Sequence, residues 1–132
     1  MLLECIDPRV TTHSVEYMDS LGLTERYSHF VIAGGPIGAV HPAFEKWHDV
    51  FWENLDLTVQ MHKIKRLIGL THRDCGAAKL AYGETAVSTR QVETATHAEC
   101  LRGFRAEVRQ RHPELAITVG IMDLEGKVLP VG

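Results

Sequence analysis

The stretch Thr71-His72-Arg73-Asp74-Cys75-Gly76 joins an apolar run, Ile64 to Leu70, to a segment of small residues, Gly76 to Ala81. This pattern predicts a buried strand that ends in a sharp turn and is followed by a helix. An imidazole and a thiol three positions apart on such a turn can face the same metal ion. Two ligands do not complete a metal site, so other parts of the sequence must supply the rest.

A second group of polar residues follows the first apolar run, in Cys5-Ile6-Asp7-Pro8-Arg9. Cys5, Asp7 and Arg9 occupy alternate positions, and we expect them on one side of an extended segment that leaves the sheet. Pro8 cannot donate to a strand ladder and favours an extended Asp7. The segment therefore predicts a strand end that presents a thiol, a carboxylate and a guanidinium together.

The two motifs together define a candidate metal site. Cys5, His72 and Cys75 would supply two thiolates and one imidazole, a donor set typical of Zn²⁺, with Asp7 or water in the fourth position. Cys-x-Asp-x-Arg after a first strand and His-x-x-Cys after a later strand resemble the motifs of the β-class carbonic anhydrases. The resemblance covers most of the chain, and it is specific at these two motifs and at Ala33-Gly34.

The resemblance implies a zinc-dependent lyase that hydrates carbon dioxide reversibly to bicarbonate through zinc-bound hydroxide. It implies that the Asp7 carboxylate accepts a hydrogen bond from that hydroxide and that Arg9 holds the carboxylate by a bidentate pair. Two other functions stay open. One is the hydrolysis of a related small substrate, carbonyl sulfide or carbon disulfide, and the other is a non-catalytic zinc domain that acts by association.

Partners are also implied. We expect a homodimer or a higher homo-oligomer, because Trp47, Phe51 and Trp52 offer more aromatic surface than one sheet face needs. The net charge of −3 argues against binding to nucleic acid or to an anionic membrane. No apolar run is long enough to cross a membrane and no basic segment precedes Cys5, so we expect a cytoplasmic protein. Three widely spaced cysteines suit a metal site in a reducing compartment.

Some features differ from the family. Where the family has Arg-Asn-Ala-Gly, this sequence has Val31-Ile32-Ala33-Gly34, and the segment between Cys75 and the last strand is shorter. We also expect no counterpart of the family's N-terminal helical arm before Cys5. The resemblance therefore implies a short, divergent member whose pocket walls differ from those of the family.

Strand and helix patterns alternate along the chain. This predicts a single α/β domain over residues 1–132, with a mostly parallel central sheet of four or five strands flanked by helices. The predicted strands are Leu2–Ile6, Tyr27–Ala33, Ile64–Leu70, Leu115–Met122 and Lys127–Val131. The predicted helices are His13–Leu21, Pro42 to about His62, a short helix from Gly76, and Thr89–Arg111. Both motifs follow strands, at the carboxyl edge where parallel sheets carry their sites.

Two alternative chemistries receive less support. Cys75 at a helix start could be an activated nucleophile, but a phosphatase-type loop would need an arginine six positions later, where Ala81 stands. The cluster of Gly34, Gly35 and Gly38 does not have the spacing of a phosphate-binding loop and predicts a tight turn.

Several charged or reactive residues have plainer interpretations. We expect Arg73 to be a solvated charge beside the motif. We expect Cys100 to be packed or exposed within its helix, without a function. We expect His97 to lie at the surface or in a turn.

Overall fold

A five-stranded sheet crosses the middle of the molecule. The computed structural model describes all 132 residues. The strands are β1 (Leu2–Glu4), β2 (His29–Val31), β3 (Arg66–His72), β4 (Ala116–Met122) and β5 (Val128–Pro130). They lie in the order β2-β1-β3-β4-β5, with the first four parallel and β5 antiparallel to β4. The predicted α/β class and mostly parallel sheet are confirmed.

Helices pack against both faces of this sheet. They are α1 (Pro8–Ser20), α2 (Pro36–Val40), α3 (Glu45–His62), α4 (Gly76–Tyr82) and α5 (Arg90–Arg111), with 3₁₀ turns at Pro42–Phe44 and Thr85–Val87. Strand side chains alternate between the two layers because successive residues of a strand point to opposite faces. Leu3 and Leu67 belong to the core cluster that contains Phe51 of α3 and Phe104 of α5. Leu2 and Ile68 belong to the cluster formed with α1, through Val10 and Met18.

The sheet order brings the two sequence motifs to one place. β1 and β3 are parallel neighbours, with Leu2 opposite Ile68 and Leu3 opposite Gly69. The chain that leaves β1 at Cys5 and the chain that leaves β3 after His72 therefore emerge side by side at the carboxyl edge of the sheet. This is the edge at which parallel α/β sheets bind their ligands.

Helix α1 begins five residues earlier than predicted, at Pro8. Asp7 is its N-cap, with the Asp7 carboxylate accepting a hydrogen bond from the Arg9 amide at 2.9 Å. Pro8 occupies the first turn, where the missing N–H costs nothing. The expectation that Cys5, Asp7 and Arg9 share one side of an extended segment is wrong, because Arg9 already lies in the helix.

Two other elements differ from the prediction. The segment Gly34–Gly38 forms more than a turn, because α2 begins at Pro36.

In α3, Phe51 is fully buried and Trp52 is 4% exposed, so neither is free to cover a partner surface. Trp52 stacks on Phe104, and the Arg111 guanidinium lies 4.1 Å from its ring centroid. The prediction of surplus aromatic surface on this helix is therefore wrong for these two residues.

The long helix α5 follows its prediction closely. It spans Arg90–Arg111, and the Thr89 hydroxyl caps it by accepting a hydrogen bond from the Val92 amide. Helical three-four spacing predicts that Ala98, Leu101, Phe104 and Val108 point inward, and all four are buried. None of the helices has the length and apolar character required to cross a membrane.

Candidate metal centre

The turn after β3 places two of the three predicted ligands. His72 is the last residue of β3, and Cys75 is the residue that precedes the first turn of α4. Between them, Asp74 has φ of +56°, a left-handed conformation that aspartate tolerates better than most residues. This reversal of the backbone lets the side chains of His72 and Cys75 face the same point.

The three predicted ligand atoms lie together. Those of Cys5, His72 and Cys75 are all within 4.8 Å of one another, and the three residues are 2–6% exposed. Two Zn–S bonds of about 2.3 Å at a tetrahedral angle would separate their sulfurs by about 3.8 Å. The Sγ atoms of Cys5 and Cys75 are 4.0 Å apart. The geometry and the donor types therefore fit a zinc-sized ion.

The orientation of His72 supports the same interpretation. Its Nδ1 lies 2.7 Å from the carbonyl oxygen of Arg73, which can only accept a hydrogen bond, so Nδ1 carries the proton. The other nitrogen, Nε2, is buried and has no hydrogen-bond partner. A buried nitrogen with a free lone pair is costly unless something binds it. A metal ion held with the two sulfurs would satisfy it.

The two thiols have opposite proton affinities. The hydrogen bond from Cys75, together with contacts to His72 and to the Gly34 amide, outweighs burial and lowers the pKa of Cys5 to about 4. The Cys5 thiolate and burial raise the pKa of Cys75. Burial alone would lower the pKa of His72, but Cys5, the Arg73 carbonyl and Asp7 raise it above its ordinary value. In the metal-free protein Cys5 is therefore the thiolate, and Cys75 keeps its proton. His72 lies beside the negative charge of Cys5.

Asp7 lies beside the ligand group and is held by Arg9. Asp7 Oδ2 is 3.8 Å from His72 Nε2, and Asp7 is not a member of the three-residue group. Arg9 donates from Nη2 to Oδ2 at 2.8 Å and from Nε to Oδ1 at 3.1 Å. These hydrogen bonds are the main reason that the pKa of Asp7 is lowered to about 2. The carboxylate is thus ionised and oriented.

Arg9 also joins the two motifs. Its Nη1 donates to Asp74 Oδ2 at 3.0 Å, and its Nη2 donates to the Asp74 carbonyl at 3.0 Å. One guanidinium therefore holds Asp7, two positions after Cys5, and Asp74, the residue before Cys75, at the same time. The resemblance implies the pair of Arg9 with Asp7, but not the pair of Arg9 with Asp74.

The turn after β2 contributes Gly34 to the site, and the only indication of this in the sequence is that the residue is a glycine. The Gly34 amide donates to Cys5 Sγ at 3.2 Å, and Gly34 has φ of +79°. A Cβ at this position would lie 3.1 Å from that of Ala77 in α4. Val31, three positions before Gly34, is 46% exposed.

Two residues lie in environments that differ from the prediction. Arg73 is 8% exposed and bonds Glu93 on α5, so the prediction of a solvated charge is wrong. His97 is fully buried, and neither of its ring nitrogens has a partner, so the prediction of a surface position is wrong. Cys100 is packed in the same small cluster as Cys5 and Cys75. The two α5 residues, His97 and Cys100, lie at helical spacing from Leu101 and Phe104, which is the signal that indicates their burial.

Several solved structures superpose on nearly the whole chain. The carbonic anhydrase of Streptococcus mutans does so with a TM-score of 0.64 and 22% identity, covering 99% of this chain and 80% of that one. The carbonic anhydrase of Glaciozyma antarctica gives the same TM-score and coverage at 18% identity. The β-carbonic anhydrase CafD of Aspergillus fumigatus gives 0.58 at 13% identity, covering 99% and 87%. The chain therefore has the β-carbonic anhydrase fold, and the predicted resemblance is confirmed at that level.

Relatives also exist at the level of sequence. An uncharacterised protein of Rickettsia conorii is 27% identical over 128 residues, covering 97% of this chain and 69% of that protein. An uncharacterised protein of Rickettsia bellii is 28% identical over 128 residues, covering 97% and 78%. No protein-family model matches the chain.

Proposed function

We propose that this protein is a zinc-dependent lyase that hydrates carbon dioxide reversibly to bicarbonate. The observation that carries the proposal is the buried group of Cys5, His72 and Cys75 at the carboxyl edge of a sheet with the carbonic anhydrase fold. Two thiolates and a neutral imidazole would balance the charge of Zn²⁺. The bound ion would supply the Lewis acidity that makes hydroxide available near neutral pH.

Asp7 would orient the attacking oxygen. Because its pKa is about 2, the carboxylate is ionised at neutral pH and can only accept hydrogen bonds. Arg9 contacts both carboxylate oxygens and thus keeps Asp7 turned toward the guanidinium. Oδ1 already accepts from the Arg9 amide and from Arg9 Nε, so Oδ2, which lies 3.8 Å from His72 Nε2, is the oxygen that would accept a proton donor at the site. Asp7 would therefore select the orientation of a reacting O–H group, and Arg9 would prevent Asp7 from becoming a fourth ligand.

Association and compartment are part of the proposal. Ile6 and Val31, at the carboxyl ends of β1 and β2, are 62% and 46% exposed. A second copy of the chain would cover this apolar surface in a homodimer or a higher homo-oligomer. The three cysteines are unpaired, as a reducing compartment such as the cytoplasm keeps them. Light scattering coupled to size-exclusion chromatography tests the oligomer, and a monomer at micromolar concentration would contradict it.

The experiment that tests the function is stopped-flow hydration of carbon dioxide by protein whose zinc content has been measured. We expect a rate above that of the buffer that scales with zinc. A preparation with full zinc and no such rate would contradict the proposal. Release of sulfide from carbonyl sulfide by that preparation would then indicate hydrolysis of the related substrate, and no turnover of either substrate would indicate a non-catalytic domain.

The ligand set is tested separately with Cys75→Ser. Serine has nearly the size of cysteine but is a far weaker zinc ligand, so we expect zinc content and hydration rate to fall together. The matched control is Cys100→Ser, because Cys100 is buried in the same cluster but is outside the three-residue group. A fully active Cys75→Ser variant with stoichiometric zinc would show that the ligand assignment is wrong.

A further inference from the structure

A buried ion pair connects the metal-ligand turn to helix α5. Arg73 and Glu93 are 8% and 7% exposed, and Arg73 Nη1 donates to Glu93 Oε1 at 3.1 Å. The other carboxylate oxygen, Oε2, accepts a hydrogen bond from the Asp74 amide at 2.8 Å. Both oxygens of one carboxylate are therefore occupied by the two residues that separate His72 from Cys75.

The peptide group between Arg73 and Asp74 is bonded at both ends. Its carbonyl oxygen accepts from His72 Nδ1 at 2.7 Å, and its N–H donates to Glu93 Oε2 at 2.8 Å. A carboxylate that accepts from a peptide N–H polarises the peptide and strengthens the carbonyl as an acceptor. Glu93 thus acts on the imidazole of His72 through one peptide unit, with no direct hydrogen bond between the two side chains.

The same peptide precedes a residue with an uncommon backbone conformation. Asp74 has φ of +56°, in the left-handed region that few residues with a side chain adopt, although aspartate adopts it more readily than most. Glu93 holds this turn from the side of α5, and Arg9 holds it from the side of α1 through the Asp74 carboxylate and carbonyl. Without the Glu93 contact, the turn would be free to relax on one side.

We propose that Glu93 is a positioning residue for the metal centre. Its carboxylate fixes the Arg73–Asp74 peptide, and that peptide keeps the proton of His72 on Nδ1 so that Nε2 faces the two sulfurs. The hydrogen bond from the Asp74 amide to Glu93 also holds the turn that places Cys75 Sγ 4.0 Å from Cys5 Sγ. This inference deepens the proposed function, because it concerns how the protein prepares the same three ligands.

The substitution Glu93→Gln separates this role from simple packing. Glutamine has the same shape, but it has one acceptor oxygen and one NH₂ donor where glutamate has two acceptors. In either orientation the NH₂ group must face a donor, either the Arg73 guanidinium or the Asp74 amide. One of the two bonds that define the turn is therefore lost without removing any volume.

The test is a titration of the metal-free protein with cobalt(II), which takes the same donors as zinc and has visible absorption in a tetrahedral thiolate site. We expect Glu93→Gln to weaken cobalt binding by about 10–100-fold, the usual effect of losing an outer partner of a metal ligand. The matched control is Glu99→Gln, which removes one charge from an exposed position of the same helix and should stay within about twofold. Equal affinity of Glu93→Gln and the wild type would overturn the proposal.

A second variant covers the case in which Glu93→Gln does not fold. The double variant Arg73→Met, Glu93→Met replaces both charges by apolar groups, which is often neutral for stability because no unpaired charge is left. We expect its thermal midpoint to stay near that of the wild type while cobalt affinity still falls by about tenfold or more. A folded double variant with wild-type affinity would show that the pair serves stability alone.

A measurement on the metal-free protein separates a failure of this inference from a failure of the proposed function. If the wild type binds no cobalt, the metal-site proposal fails, but the positioning role is still tested by NMR of the metal-free protein. We expect ¹⁵N shifts that place the His72 proton on Nδ1 and slow hydrogen exchange at the Asp74 amide in the wild type. Both should be lost in the double variant Arg73→Met, Glu93→Met, which leaves the Asp74 amide without its acceptor. If both are retained, Glu93 does not position the turn.

Discussion

At the residue scale, the candidate chemistry depends on one carboxylate held by one guanidinium. Asp7 lies 3.8 Å from the free nitrogen of His72 and is fixed by several hydrogen bonds from Arg9. This geometry leaves Asp7 close enough to orient a reacting oxygen while its charge is already balanced. A carboxylate that was free to rotate could instead bind the metal and close the site.

We predict that Asp7→Asn keeps zinc but lowers the hydration rate per zinc by about 10–100-fold. The amide would present a donor where the carboxylate accepts, so the reacting O–H group would lose its orientation. Stopped-flow rates on zinc-quantified protein provide the measurement. The control is Asp49→Asn, at an exposed position of α3. If the rate per zinc is unchanged in Asp7→Asn, Asp7 has no part in the reaction.

We predict that zinc binding at pH 7 releases about one to two protons per ion. Cys5, with a pKa of about 4, is already a thiolate, whereas the raised pKa of Cys75 means that this thiol must lose its proton to bind. The raised pKa of His72 acts in the same direction, because any proton on its Nε2 must also leave before zinc binds. Affinity should therefore weaken as the pH falls. Calorimetry in buffers of different ionisation enthalpy measures the number, and an enthalpy independent of the buffer would contradict it.

At the element scale, the close packing of β3 against α5 depends on a glycine. A Cβ at Gly69 would lie 2.9 Å from Phe104 Cε1 and 3.2 Å from Pro36 Cγ. Phe104 is fully buried between the sheet and α3, so its ring has little room to move. Sequence periodicity predicts that Phe104 points inward, but it does not predict which strand position must lack a side chain.

We predict that Gly69→Ala destabilises the protein by about 1–3 kcal/mol, because the added methyl overpacks a rigid contact. The matched control is Gly103→Ala, at an exposed position of α5 where a Cβ would meet nothing within 4 Å. That substitution should stabilise the protein by about 0.5–1 kcal/mol through helix propensity. Urea unfolding measures both. A Gly69→Ala variant as stable as the wild type would mean that Phe104 can move aside.

At the scale of the whole molecule, the stability of the fold should depend on pH through His97. Burial is the main reason that the pKa of His97 is lowered to about 4, with His72 and Arg73 acting in the same direction and Glu93 opposing them. A histidine in the unfolded chain titrates near pH 6.5. Between about pH 6.5 and the pKa of the folded state, the unfolded chain binds more protons, so acid favours unfolding.

We predict that the stabilisation from a neutral His97 is complete above about pH 6.5 and is lost progressively down to about pH 4. The loss is at most about 3 kcal/mol, from about 1.4 kcal/mol per pKa unit. Urea unfolding of the metal-free protein at both ends of this range measures it. Since Cys5 also titrates in this range, the informative quantity is the difference from His97→Leu, which should lose less stability in acid. Equal acid sensitivity of the two proteins would contradict the prediction.

Much of the architecture follows from local patterns. Alternating strand and helix periods predict the α/β class, and the order of the elements places both motifs at one edge of the sheet. Boundaries are less well predicted. Helix α1 begins at Pro8 because Asp7 caps it, and an Asp-Pro pair equally suits an extended segment. The sequence pattern alone does not decide between these two local structures.

The candidate site, too, was predicted from the sequence only in part. The residue types and spacing of Cys5, His72 and Cys75 are enough to predict a zinc-type ligand set, because donor chemistry is a property of the side chains themselves. Only the tertiary structure decided that Arg73 and Glu93 are a buried pair, that Arg9 reaches Asp74, and that His97 is enclosed without a partner. These features arise from contacts between segments far apart along the chain, and a charged or polar residue carries no local signal of which distant element will cover it.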